Sequence, residues 1–161
     1  MNRMKKTVPS NIEDIIALAP VQEGMLFHYL KEPRSDVYFE QLSLSVPVEI
    51  DREHFVKAWD FVIARNDMLR TCFRWEKLEK PVQVVLKEHK VDVRYYDLSM
   101  GEPGVDIRRK VEKIKIEDRD EAFDLRDVPF RLALCKTGKD EYELILSNHH
   151  ILFDGWSTGI L

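Results

Sequence analysis

Cysteine is scarce in this chain of 161 residues: Cys72 and Cys135 stand singly inside strand-like segments. No metal-ligand spacing accompanies them, so they read as buried, reduced thiols of a cytoplasmic protein. A basic block is missing too. Lys and Arg number 25 against 29 Asp and Glu, interspersed to a net charge of −4. With no basic–aromatic stripe, nothing points to nucleic acid. Apolar runs fall far short of the ~20 residues that a membrane-spanning helix needs. The opening MNRMKKTVPSNIEDIIALAP passes from positive charge to Glu13 and Asp14, without the apolar centre of a secretory signal. No membrane partner is expected. Finally, no Ser or Cys sits in a nucleophile-elbow pattern, so nothing indicates a covalent acyl-enzyme.

What is present suffices for a packed core, since 44% of residues are hydrophobic and 34% charged. Residues 1–10 read as a linker or N-terminal lead, and 11–161 as one unit without repeats or internal linkers. Pro20 suits the first turn of a helix that continues through Met25, Leu26 and Leu30. Residues 37–48 alternate as a strand. Asp51 is placed to cap a second helix with Phe55, Ala58, Trp59, Val62 and Ile63 on its core face. Short strands are expected at 69–75, 82–87 and 91–96, and a charged helix at about 104–123 with Ile107, Val111 and Ile114 inside. FRLALCK (130–136) and YELILSN (142–148) predict a hairpin. Strands mixed with three helices imply an α/β (α+β) two-layer sandwich: a mixed β-sheet with helices packed on one side.

The chemistry concentrates in YELILSNHHILFDGWST, residues 142–158. A histidine at the end of a buried strand is held rigidly yet opens onto a cleft, and its ordinary pKa of ~6.5 suits general acid–base work. Neighbours in a strand point to opposite faces, so His149 and His150 cannot share one task. One packs and the other works. Asp154 can either bond His150 and fix its tautomer, or pair with a buried arginine and hold the loop that presents it. Gly155 permits a tight turn, and its N–H can face a reacting carbonyl. Adjacent histidines suit a single ion poorly, and His28, His54 and His89 are isolated, so no metal site is expected.

HHILFDG fits HHxxxDG, and with it the chain resembles the condensation domains of nonribosomal peptide synthetases within the chloramphenicol acetyltransferase-like superfamily. ALAPVQEGMLFHYL (17–30) looks like their first core motif and RNDMLRTCF (65–73) like their second, with Asn66-Asp67 in place of the common His-Glu. The heterocyclization branch, which carries aspartates in place of both histidines, is excluded. The QEGMLFH form is similar to domains that accept a D-configured donor. The resemblance implies the N-terminal lobe of a chloramphenicol acetyltransferase-like fold, a half-domain whose C-terminal lobe is absent; Leu161 reads as a cut.

The implied activity is amide-forming acyl transfer. The α-amine of a carrier-bound acceptor attacks a carrier-bound donor thioester in a tunnel between two lobes. Substrates ride on the 4'-phosphopantetheine arms of upstream and downstream peptidyl carrier domains, with an adenylation domain in the same synthetase and no cofactor bound directly. Carried over residue by residue, His150 and Gly155 are catalytic. His149, Asp154, Arg70 and Arg65 are supporting, with Arg70 favoured over Arg65 as the partner of Asp154, and Trp156 and Ser157 border the tunnel. Two other readings stand beside this one: a coenzyme A-dependent acyltransferase of the same superfamily, and a lobe that only docks or folds and is inactive alone.

Overall fold

The computed structural model describes residues 11–91, 93–100, 106–154 and Ser157. Among the described residues seven strands and three α-helices follow in the order β1 (Ile12–Ala17), α1 (Pro20–Lys31), β2 (Phe39–Val46), α2 (Arg52–Arg65), β3 (Thr71–Arg74), β4 (Val82–Leu86), β5 (Val93–Asp97), α3 (Ile107–Asp120), β6 (Phe130–Lys136) and β7 (Tyr142–His149). A 3-10 turn, Asp67–Arg70, joins α2 to β3. The lead expected over residues 1–10 lies outside the described residues, as do Gly155 and Trp156.

The α/β class is as expected, but the strands divide between two sheets. β1, β4 and β3 form an antiparallel sheet in that order, and β2, β7, β6 and β5 form the second. In the second sheet β5 runs parallel to β6 and every other neighbour is antiparallel, which makes it mixed. The parallel step follows from α3, because a chain that returns to the same end of a sheet needs a crossover. β6 and β7 form the predicted hairpin, closed by Thr137 N–H donating to Glu141 O at 2.8 Å.

Period-two alternation sorts the larger sheet into two faces. Ala133, Cys135 and Ile145 meet Val111 and Ile114 of α3 on one side. Phe130, Leu132, Leu134, Leu144 and Leu146 belong to the main cluster on the other, where Trp59 of α2 packs against Phe130 with ring centroids 5.6 Å apart. Helices thus meet both faces, where the sequence suggested one covered side. Asp51 caps α2 as predicted, its Oδ1 accepting from the His54 N–H at 2.8 Å.

One strut beneath α3 is polar. Asp118 is buried and accepts from Ser147 Oγ at 2.5 Å and Gln41 Nε2 at 3.0 Å. Arg131 Nε lies 3.0 Å from Asp118 Oδ1 without aligning as a hydrogen bond, while its terminal nitrogen donates to the Asp118 and Glu121 carbonyls. A buried charge is tolerated only when so surrounded. This strut ties α3 to β2, β6 and β7, so it braces the strand that ends on the two histidines.

Candidate active site at the end of β7

β7 lies between β2 and β6, and its register places Phe39 opposite His149 and Glu40 opposite Asn148. The strand is pinned to its last residue. His149 N–H donates to Pro129 O at 3.1 Å, and His150 N–H donates to Tyr38 O at 2.8 Å. The chain then turns, with Leu152 N–H donating to His149 O. The two imidazoles therefore leave a fixed backbone in different directions.

His149 is the packed member. It is 7% exposed, and its ring meets Tyr29 edge-on at 6.2 Å and Tyr38 at 5.8 Å. Its Nδ1 accepts the Ile151 N–H at 3.1 Å, which requires that nitrogen to be unprotonated. Burial, followed by the neighbouring His150, pushes its pKa down to about 4. His149 is thus a neutral structural ring.

His150 is the presented member, with its side chain 30% exposed. Its Nδ1 lies 2.8 Å from Glu40 Oε1, close enough for an ion pair but off the line of the N–H, so it makes no aligned hydrogen bond. The other oxygen of Glu40 accepts from Asn148 Nδ2 at 3.0 Å. The sequence reading did not single out Glu40. It sits one residue inside an alternating strand, and only the β2–β7 register brings it to the histidine.

Beside this cluster opens a cavity of about 610 Å³ whose walls include Leu42, Leu44, Trp59, Leu144, Leu146 and Phe153. Glu40 and Asn148 stand at its polar end. Leu42 and Leu44 are 43% and 44% exposed, so the groove is apolar but open. Such a trough suits an apolar group next to a small polar cluster.

The first-motif helix reaches the same loop. Gln22 Oε1 accepts the Ala19 N–H at 2.9 Å, closing the start of α1 where alanine has no side-chain acceptor. Gln22 Nε2 donates to Ile151 O at 2.9 Å. This contact ties the first motif to the turn after His150. Met25 and Leu26 are buried, whereas Phe27 and Leu30 of the same helix are 65% and 48% exposed.

Asp154 caps its own loop: its Oδ1 accepts from the Ser157 N–H at 3.0 Å and the Ser157 hydroxyl at 2.9 Å. This is the spacing of a helix N-cap. The favoured pairing with Arg70 is corrected by the geometry. Arg70 is buried and spends its donors elsewhere, on Glu13 at 2.6 Å, Asp67 at 2.5 Å, the Ile63 carbonyl at 3.2 Å and the Leu86 carbonyl. It fastens the 3-10 turn to β1 and β4, because its planar fork can serve several acceptors at once. Arg65 does not reach Asp154 either, lying exposed over the Phe61 ring at 4.4 Å from its centroid. Of the tunnel residues named from sequence, Ser157 is described only through its bonds to Asp154.

Among the described residues no group of three His, Cys, Asp or Glu side chains is arranged to hold a metal. No described helix is long and apolar enough to cross a membrane. Cys72 and Cys135 are buried and unpaired with each other, and burial pushes the Cys135 thiol up to about 11. Neither is a nucleophile at neutral pH.

Comparison with known proteins accords with this geometry. Surfactin synthase subunit 2 of Bacillus subtilis (strain 168) is 40% identical over 152 residues, which cover 94% of this chain and 4% of that protein. Gramicidin S synthase 2 of Brevibacillus brevis is 37% identical over 165 residues, covering 100% of this chain and 4% of its relative. The chain thus spans a small part of the synthases it matches. In three dimensions it resembles the starter condensation domain of the rhizomide synthetase RzmA, with a TM-score of 0.81 at 20% identity over 92% of this chain and 36% of that one. A family model for the condensation domain matches residues 12–161. With three motifs, a fold and a family model in agreement, the chain belongs to the condensation-domain family.

Proposed function

We propose that this chain forms the N-terminal lobe of a peptide-bond-forming condensation domain, in which His150 handles the proton of the attacking amine. The observation that carries the reading is the division of labour at the end of β7: His149 is buried and neutral, while His150 is half-buried against Glu40, which lines an apolar groove. The C-terminal lobe would supply the second wall of a tunnel over that groove. The donor and acceptor arrive on phosphopantetheine arms of carrier domains within a synthetase that also holds an adenylation domain.

The chemistry balances without a covalent enzyme intermediate. The acceptor's amine lone pair forms the new C–N bond at the donor carbonyl, and the C–S bond breaks. The amine proton passes to His150 and from there to the departing sulfur, which leaves as the thiol of the donor arm. General acid–base help of this kind contributes about 10²–10⁴-fold, and holding both arms in register contributes at least as much. Gly155 would present its N–H to the carbonyl oxygen. Asp154 would hold its own loop and Arg70 the core at the second motif, while Trp156 and Ser157 line the approach. The QEGMLFH segment favours a D-configured donor.

The test uses the complete two-lobe domain with aminoacyl groups loaded on carrier domains, D and L donors in parallel, and weighs the downstream carrier by mass spectrometry. Dipeptide that disappears in His150→Ala supports condensation, and the preferred donor fixes the subtype. Product formed only from coenzyme A thioesters would replace the reading with acyl transfer from coenzyme A. No product from a folded domain would leave a docking lobe without activity.

A further inference from the structure

We infer that Glu40 is the positioning residue for His150, holding the imidazole in the tautomer with its proton on Nδ1 so that Nε2 faces the reacting amine; this rests on the reading of His150 given above. Three observations meet at this point. The Nδ1 atom of His150 is shielded from solvent and makes no aligned hydrogen bond, yet a carboxylate oxygen lies 2.8 Å away. The other carboxylate oxygen is tethered by Asn148, itself buried, so Glu40 is not a freely swinging surface acid. Glu40 also stands at the polar end of the apolar groove, where an orienting group belongs if the groove receives a substrate.

Physical chemistry supplies the direction. A shielded ring nitrogen facing a carboxylate is more stable carrying a hydrogen, since two acceptors at that separation repel. A small rotation of the Glu40 carboxylate or the ring brings the N–H into line. With the proton held on Nδ1, the lone pair is on Nε2, and among the described residues no hydrogen bond occupies it. An orienting carboxylate works in this way in hydrolytic triads, where it sets the tautomer of a histidine without itself taking the proton. Asp154, the residue that the motif suggested for the task, is occupied with Ser157. His149 cannot do it, because it is neutral and its Nδ1 accepts from the backbone of Ile151. Glu40 and His149 are titratable side chains that meet His150.

The test pairs nitrogen NMR with kinetics. Label histidine with ¹⁵N in the complete domain, assign His150 by its disappearance in His150→Asn, and read the tautomer of the neutral ring. The expected wild-type spectrum has a protonated Nδ1 and a bare Nε2. Glu40→Ala should mix the tautomers and lower kcat roughly 10- to 100-fold with little change in KM, within the range that orienting groups contribute. Glu40→Gln, whose amide oxygen still accepts from Nδ1–H, should keep the tautomer and recover most of the rate. A wild-type ring protonated on Nε2 overturns the inference, and so does an unchanged tautomer in Glu40→Ala. If Glu40→Ala fails to fold, the wild-type and Glu40→Gln spectra still decide. Because the spectrum needs no turnover, a domain that forms no amide refutes the functional reading, while the NMR alone decides the role of Glu40.

Discussion

Replacing Arg70 by alanine tests the corrected wiring of the second motif. The guanidinium is only 6% exposed and donates to the Ile63 and Leu86 carbonyls, while its carboxylate partners Glu13 and Asp67 are 51% and 73% exposed. Those exposures decide where the energy lies. Freed carboxylates at the surface rehydrate, so the ion pairs themselves contribute little. The loss is concentrated in the two carbonyl contacts, worth about 1.5–3 kcal/mol each when the donor is charged. The Ile63 carbonyl retains the Asn66 N–H at 3.3 Å, which offsets part of its loss. Arg70→Ala should therefore destabilise by about 3 kcal/mol, or about 6–12 °C in Tm for a chain of this size. Urea unfolding followed by circular dichroism measures it. Arg65→Ala, with its side chain exposed over Phe61, should change little. A double-mutant cycle between Arg70 and Asp154 should give a coupling near zero, since Arg70 spends its donors on Glu13, Asp67 and two carbonyls. A loss below about 1 kcal/mol in Arg70→Ala, or a large coupling to Asp154, would refute the reasoning.

Two further predictions concern the frame of the site. Burial holds the His149 pKa near 4, below the ordinary 6.5, so the unfolded chain binds a proton more readily. Its contribution to stability is complete above pH 6.5 and declines as pH falls from 6.5 towards 4, by up to about 3 kcal/mol. Urea midpoints at pH 7 and 5 should show the decline, and His149→Gln should flatten it. Asp118→Ala takes from Arg131, which is only 14% exposed, one of its two carboxylates and leaves Glu121 at 3.3 Å, and it should destabilise by about 1.5–3 kcal/mol. Asp118→Asn, which still accepts from Ser147 Oγ, should lose much less; equal losses in the two variants would show that the strut contributes packing and not polarity.

Local patterns made most elements legible. β6 and β7 are short apolar runs on either side of a turn at residues 137–140, and Asp51 announces α2 with a cap that the structure shows in place. β1 escaped notice because its order IEDIIA does not alternate and only Ile12 is partly buried; its pairing with β4 defines it instead. The separation into two sheets is likewise a matter of pairing between distant segments, which periodicity does not encode. The family and the contrast between the histidines could be read from HHILFDG. The partners of the site could not: Glu40 and Gln22 lie 110 and 129 residues from His150 and Ile151, the groups they approach. A buried arginine near a motif aspartate looked like its partner from sequence alone. What decided otherwise was that Glu13, Asp67 and two carbonyls already surround it.

The position of β7 also bears on how this chain is made. The strand that presents His150 is made after its sheet neighbours, yet it is inserted between β2 and β6. β2 therefore leaves the ribosome about a hundred residues before its neighbour exists, a delay on the order of ten seconds at ordinary elongation rates. Throughout that interval its Leu42 and Leu44 and the backbone edge that β7 will fill await a partner, a state that invites pairing with other nascent chains. Pairings so distant in sequence close slowly even after release. Chaperone dependence should therefore track the arrival of Tyr142–His149, and ribosome-bound chains that stop at Lys136 should remain protease-sensitive across β2.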